Sequence, residues 1–122
     1  MKLKNDLYKI LCEDKQGFSG RYEIKLNGEH FIYQAHFPGE PITPGVCIVQ
    51  IGQELLEELI GRNLRIQTVK NVKFLQVITP TDSHEVSYHL NKIQLMDDGA
   101  VKAQILVTRE DKEMAKLSLV CR

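Results

Sequence analysis

The sequence predicts an α+β domain in which an antiparallel sheet of about five or six strands wraps around one central helix. Three observations carry this expectation: runs of period-2 alternation recur along the chain, one segment alone has helical periodicity, and that segment is apolar over about half of its wheel. A helix so broadly apolar needs more than a flat sheet to cover it, so the sheet must curl. The length of 122 residues fits one domain spanning 1–122. It excludes an eight-stranded α/β barrel and a two-half dinucleotide-binding fold.

The front of the chain reads as extended. Tyr22, Ile24 and Leu26 alternate with Glu23 and Lys25, and Asn27-Gly28 is a turn signal. Phe31 and Tyr33 alternate with His30, Ile32 and Gln34, which predicts a second short extended run. Pro38, Pro41 and Pro44 then separate this part from the helix. Thr43 suits its N-cap, Pro44 its first position and Gly61 its C-terminal cap. Ile48, Val49, Ile51, Leu55, Leu56, Leu59 and Ile60 occupy one half of the wheel. Gln50, Gln53, Glu54, Glu57 and Glu58 occupy the other, which reads as a solvated face. Gly52 sits within the apolar half, where a missing side chain lets a sheet approach. The back of the chain is strand after strand. Val69 to Ile78 closes at Thr79-Pro80-Thr81-Asp82, Val86 to Leu90 follows, and Asp97-Asp98-Gly99 marks a hairpin. Val101 to Thr108 and Leu117 to Cys121 flank the charged turn Glu110-Asp111-Lys112-Glu113.

Charge and composition exclude several functions. Lys plus Arg and Asp plus Glu are both 16, so the net charge is zero, which argues against a protein that grips nucleic-acid phosphates. No apolar run approaches the ~20 residues of a membrane-spanning helix. Met1 to Ile10 lacks the apolar stretch and cleavage site of a signal peptide, so a cytoplasmic location is expected. The three cysteines, Cys12, Cys47 and Cys121, have neither CxxC nor zinc spacing. They read as reduced buried thiols, with the alternative for Cys47 of a pKa lowered by the nearby helix start. No metal and no cofactor is expected, since there is no ligand cluster and no phosphate loop. A domain this small rarely encloses a deep pocket, so an active site is expected to be shared with a second subunit.

The segment from His36 to Glu54 carries the chemistry. Three prolines and two glycines within ten residues, His36 to Gly45, fix an ordered loop, because each proline locks its own φ. The loop presents His36 at one end and a helix N-terminus at the other. A histidine can serve as general base, and free N–H groups at a helix start can polarise a carbonyl. His30, His84 and His89 have no partners at telling spacings and read as structural or exposed.

This segment resembles the β-hydroxyacyl-acyl carrier protein dehydratase family, which has the hot-dog fold. The family's His-Phe-Pro-Gly-x-Pro-x-x-Pro-Gly loop is matched at every fixed position from His36 to Gly45. Glu29 to Ala35 resembles its approach to the loop. Asn71-Val72-Lys73-Phe74 and Thr79-Pro80-Thr81-Asp82 resemble its next landmark. The resemblance implies that His36 takes the α-proton of a 3-hydroxyacyl thioester and that the Gly45 N–H holds the thioester carbonyl. It implies that Phe37, Pro38, Gly39, Pro44 and Val46 line the substrate. It also implies a helix carboxylate from the partner subunit, fourteen residues after the histidine, that protonates the departing hydroxyl. That position here is Gln50, whose amide orients by hydrogen bonds but has no proton to give. Glu54 lies one turn further on the same face, the family's carboxylate and glutamine in reversed order. It either supplies the missing acid or belongs to the solvated face.

The implied partner is an acyl carrier protein bearing a 3-hydroxyacyl phosphopantetheine thioester. Arg62, Arg65, Lys70 and Lys73, just after the helix, are candidates to meet it. A homodimer, or a higher oligomer of dimers, is implied as well. Two other functions remain open. One is a hot-dog thioesterase in which Gln50 positions water. The other is a non-catalytic acyl-binding subunit that pairs with a carboxylate-bearing homologue.

Overall fold

The alternating segments become six strands of one antiparallel sheet, and the helical segment becomes the long helix that fills its concave side. The computed structural model describes residues 2–35, 39–80 and 85–122. The elements are β1 (Tyr8–Gln16), β2 (Ser19–Leu26), α1 (Ile32–Ala35), α2 (Gly45–Ile60), β3 (Ile66–Phe74), β4 (Val86–Leu95), β5 (Val101–Arg109) and β6 (Lys112–Cys121). The strand order is β1-β2-β4-β5-β6-β3, with every neighbouring pair antiparallel. β1 and β3 are therefore the two edges. This is the hot-dog arrangement.

The core lies between α2 and the inward residues of the strands. Tyr22, Ile24, Tyr88, Leu90, Ile105, Leu117 and Leu119 from the sheet meet Ile48, Ile51, Leu55 and Leu56 from the helix, all buried. Gly52 allows this approach: a Cβ there would lie 2.9 Å from Ile105 Cδ1 and 3.3 Å from Leu117 Cδ1. Tyr88 ties sheet to helix by donating its hydroxyl to the Ile48 carbonyl at 2.9 Å. Gly61 ends the helix in the left-handed region at φ 82, donating its N–H to the Glu57 carbonyl. The hairpin at Asp97-Asp98-Gly99 and the turn at Glu110-Asp111 form as the sequence predicts; Glu110 and Asp111 have φ of 50 and 65.

Several expectations are corrected. The second extended run, His30 to Gln34, is a helical turn instead. Asn27 Oδ1 accepts the Glu29 N–H, and successive turn bonds from His30 N to Asn27 O and from Tyr33 N to His30 O coil the backbone. The N-cap of α2 is Pro44, with φ −60 and ψ 144, rather than Thr43. Thr43 is buried, and its hydroxyl pairs with Tyr33 Oη at 2.9 Å. The polar half of α2 is not a solvated face. Glu54 is 3% exposed and the Glu57 side chain 9%, because residues 2–7 lie across them. β1 is a strand the sequence conceals, since beyond Ile10 its residues are exposed and show no alternation of burial. Cys12, on β1, is exposed rather than buried, whereas Cys47 and Cys121 are buried as expected.

Candidate active site

The site is built around the start of α2. Because Pro44 offers no side-chain cap, the N–H groups of Gly45 and Val46 have no partner within the helix. They sit at the positive end of a 16-residue helix. Phe74, at the end of β3, abuts Gly45 with the tip of its ring: a Cβ at position 45 would come within 2.7 Å of its Cζ. Gly45 is thus needed for this close approach. Ile42, Thr43, Gly45, Ile48 and Phe74 to Ile78 line an open groove of about 340 Å³ beside it. Val46 is 74% exposed, Phe74 50% and Val77 63%, so the groove continues into a bare apolar surface.

His36, Phe37 and Pro38 lie outside the described residues, as do Thr81, Asp82 and His84. The chain on either side of position 36 is firmly held. α1 is pinned through Tyr33 to Thr43, and the Thr43 N–H donates to the Ile78 carbonyl at 2.7 Å. Gly39 takes φ 90, a conformation suited to glycine. Pro44 is half-buried at the helix start. Burial pushes the Tyr33 hydroxyl up, so it remains a neutral hydrogen-bonding group.

Gln50 and Glu54 come together. Gln50 Nε2 donates to Glu54 Oε2 at 3.0 Å. The same oxygen accepts the Leu3 N–H at 2.8 Å, while Oε1 accepts the Lys4 N–H and the Tyr8 hydroxyl, each at 2.9 Å. Four donors thus fill the roughly four lone-pair sites of the carboxylate. This corrects the solvated-face reading of Glu54 and leaves it little capacity to serve as an acid toward a substrate. Burial beside this carboxylate drives the Tyr8 pKa upward, far above the usual phenol range.

Other candidates separate. Cys47 is buried, and burial raises its pKa, which corrects the expectation of a thiol activated by the helix start. His30 is structural: its Nδ1 accepts the Ile32 N–H and its Nε2 donates to Asp6, each at 3.1 Å. His89 pairs with Thr108 Oγ1 at 3.1 Å. The four basic candidates do not form one cluster. Arg62 and Arg65 follow the far end of α2, which puts them ~24 Å from Gly45 at 1.5 Å per residue. Arg62 donates to the Gly99 carbonyl, and the Arg65 backbone pairs with Arg122. Lys73, exposed on β3, adjoins Phe74 and faces Lys116 across the β3–β6 ladder, so Lys73 is the candidate beside the groove. Phe74 and the clasp on Glu54 are features that residue spacing does not reveal. The signal for the second was present: Lys2 and Lys4 complement a helix face bearing three glutamates, Glu54, Glu57 and Glu58.

With this geometry in place, comparison with known proteins is informative. The sequence pattern of the ApeI-like family, described as ApeI dehydratase, matches residues 12–114. The 3-hydroxyacyl-acyl-carrier-protein dehydratase FabZ of Latilactobacillus sakei is 33% identical over 81 residues, 61% of this chain and 56% of that protein. The match thus spans little more than half of that relative's length. FabZ of Wolbachia pipientis is 23% identical over 120 residues, 90% of this chain and 78% of that protein. The dehydratase heterocomplex ApeI:P from Xenorhabdus doucetiae has a chain of the same fold, with a TM-score of 0.71 at 15% identity over 93% of this chain and 96% of that one. By its sequence pattern over most of its length, and on a hot-dog fold that agrees, this chain belongs to the ApeI-like dehydratase family.

Proposed function

We propose that this protein converts 3-hydroxyacyl thioesters into trans-2-enoyl thioesters, with the acyl group carried on the phosphopantetheine arm of an acyl carrier protein. The observation that carries the reading is the unbroken His36-to-Gly45 motif running into a helix start whose N–H groups are open beside an apolar groove. In this reading, His36 removes a proton from C2 while the Gly45 N–H stabilises the negative charge that develops on the thioester oxygen. The C2=C3 bond forms as the C3–O bond breaks, and the hydroxyl leaves as water after gaining a proton. Phe37, Pro38, Gly39, Pro44 and Val46 border the acyl chain, and Lys73, with Lys70, meets the carrier. The FabZ names support the carrier-bound substrate. The bare apolar surface from Phe74 to Val77, on the free edge of the sheet, supports completion of the site by a second subunit. The test is formation of 2-enoyl thioester from a 3-hydroxyacyl carrier thioester by wild type and by His36→Ala. Enoyl product with wild type alone supports the reading. Release of free thiol instead would mark a thioesterase.

A second reading is favoured by Gln50 and Glu54. With an amide at one position and a fully bonded carboxylate at the other, a homodimer lacks a ready acid. A partner homologue bearing a carboxylate at the Gln50 position would supply it, in line with the name of the ApeI:P heterocomplex. Enoyl formation that rises sharply on mixing with such a homologue distinguishes this reading from the homodimer.

A further inference from the structure

A cavity of about 660 Å³ opens between the start of β1, the end of β2 and the segments that carry Pro41 and Pro80. Its volume suits a small molecule. The strand register sets Lys9 directly opposite Lys25, so their side chains share one face of the sheet, and both line the cavity. Like charges so placed repel each other. Lys2, Lys4, Lys15 and Lys116 each have a glutamate partner. Among the described residues, Lys9 and Lys25 have no ion pair. Two carboxylates also border the cavity: Asp6, which accepts from His30 Nε2 at 3.1 Å, and Glu29, just after the Asn27-Gly28 turn. Neither forms an ion pair with the lysines, so two adjacent ammonium groups remain uncompensated at this end of the cavity. Pro41 and Pro80 give the cavity an apolar border. Gly28 closes against the second of them, since a Cβ there would lie 3.3 Å from the Pro80 carbonyl oxygen. Ile42, Thr43 and Ile78, on the same two segments, line the groove beside Gly45, so one pair of segments borders both spaces.

We propose that this cavity binds a phosphate ester, with the phosphate held by the Lys9 and Lys25 ammonium groups and the apolar portion against Pro41 and Pro80. A phosphate offers several acceptor oxygens around one centre, so it bridges both ammonium groups and turns their repulsion into charge-assisted hydrogen bonds. Two sources carry this chemistry: a free phosphate ester, and the phosphopantetheine arm of the acyl substrate. The binding itself does not depend on the dehydratase reading; the second source does.

The test is binding to the full chain, followed by nuclear magnetic resonance of the Lys9, Lys25 and Gly28 backbone amides. The probes are phenyl phosphate and phosphopantetheine, each against its phosphate-free counterpart, phenol and pantetheine. Saturable shifts with one or both phosphates are expected, with the counterparts binding at least about tenfold more weakly. The double variant Lys9→Gln, Lys25→Gln should weaken phosphate binding by at least about tenfold as well. Both positions are exposed and the change removes a like-charge pair, so the fold is retained, as an otherwise unchanged spectrum verifies. Tighter binding of phosphopantetheine than of phenyl phosphate assigns the site to the substrate arm; phenyl phosphate binding as tightly or more tightly assigns it to a free ester. Equal binding with and without the phosphate, wild-type affinity in the double variant, or no saturable shift with either phosphate overturns the proposal. These signals are read without turnover. Absence of enoyl product would therefore sink the dehydratase reading, while the binding data alone decide this one.

Discussion

Glu54 shows how a residue type can be legible in a sequence while its role is not. At helical spacing it belongs with Gln50, Gln53, Glu57 and Glu58 on the polar half of α2, and that placement is right. What covers that half is decided by residues 2–8, some fifty positions earlier, whose backbone N–H groups leave no trace in side-chain pattern. A buried carboxylate is tolerated because four donors meet it, and removing a donor should be felt. Tyr8→Phe deletes one hydrogen bond to a charged group and should lower unfolding stability by about 1.5–3 kcal/mol. Urea denaturation of the two proteins measures this; equal midpoints would show that the clasp does not depend on Tyr8. By contrast, the His36-to-Gly45 motif is recognisable from residue identities alone, because its three prolines and two glycines stand at fixed spacings.

Among the elements, α2 was the most legible, since its C-terminal cap at Gly61 and its apolar stripe agree with each other. The strands β2, β5 and β6 were legible because their inward residues alternate and are buried as the pattern demands. β1 was not, because an edge strand with exposed faces carries no period to read. α1 was misread because Phe31 and Tyr33 alternate only by accident: in the turn Tyr33 is buried, while Phe31 lies outside, stacked on His30 at 4.6 Å. The two helix glycines give a contrast that tests how α2 is seated. In Gly52→Ala the new methyl meets buried Ile105 and Leu117 in the packed sheet, and the crowding outweighs the gain of ~1 kcal/mol in helix propensity. A net loss of about 1–2 kcal/mol is expected by thermal or urea unfolding. In Gly45→Ala the methyl meets only the half-exposed ring of Phe74, which can swing outward. Stability should change little, while enoyl formation falls as the groove is reshaped. A large stability loss in Gly45→Ala, or none in Gly52→Ala, would contradict this seating of the helix.

For the whole molecule, pH acts on stability through His89. Burial first, and Arg21 second, hold its imidazole below the ordinary value of 6.5. The unfolded chain therefore binds a proton near pH 6.5 that the folded chain refuses until lower pH. The stability linked to this group is complete above that value and is lost as pH falls from it toward the folded pKa. Comparing urea midpoints at about pH 7.5 and about pH 5.5, His89→Gln should lose less stability on acidification than wild type. An identical loss in both would show that His89 does not contribute. Sequence reading caught the fold and the family. It did not reveal that Arg62 and Arg65 stay near the end of α2 while β3 carries Lys70 and Lys73 away from them, because neighbours in sequence separate by ~3.3 Å per residue in an extended strand. The central claim is that this chain has the base and carbonyl-holding half of a dehydratase, with Gln50 standing where the acid belongs. The most direct measurement is the initial rate of 2-enoyl carrier thioester formation by wild type and by Gln50→Glu. A carboxylate at position 50 should raise the rate by ~10²–10⁴-fold over wild type, the usual contribution of a general acid. No gain from Gln50→Glu, or no enoyl product from either protein, would contradict it.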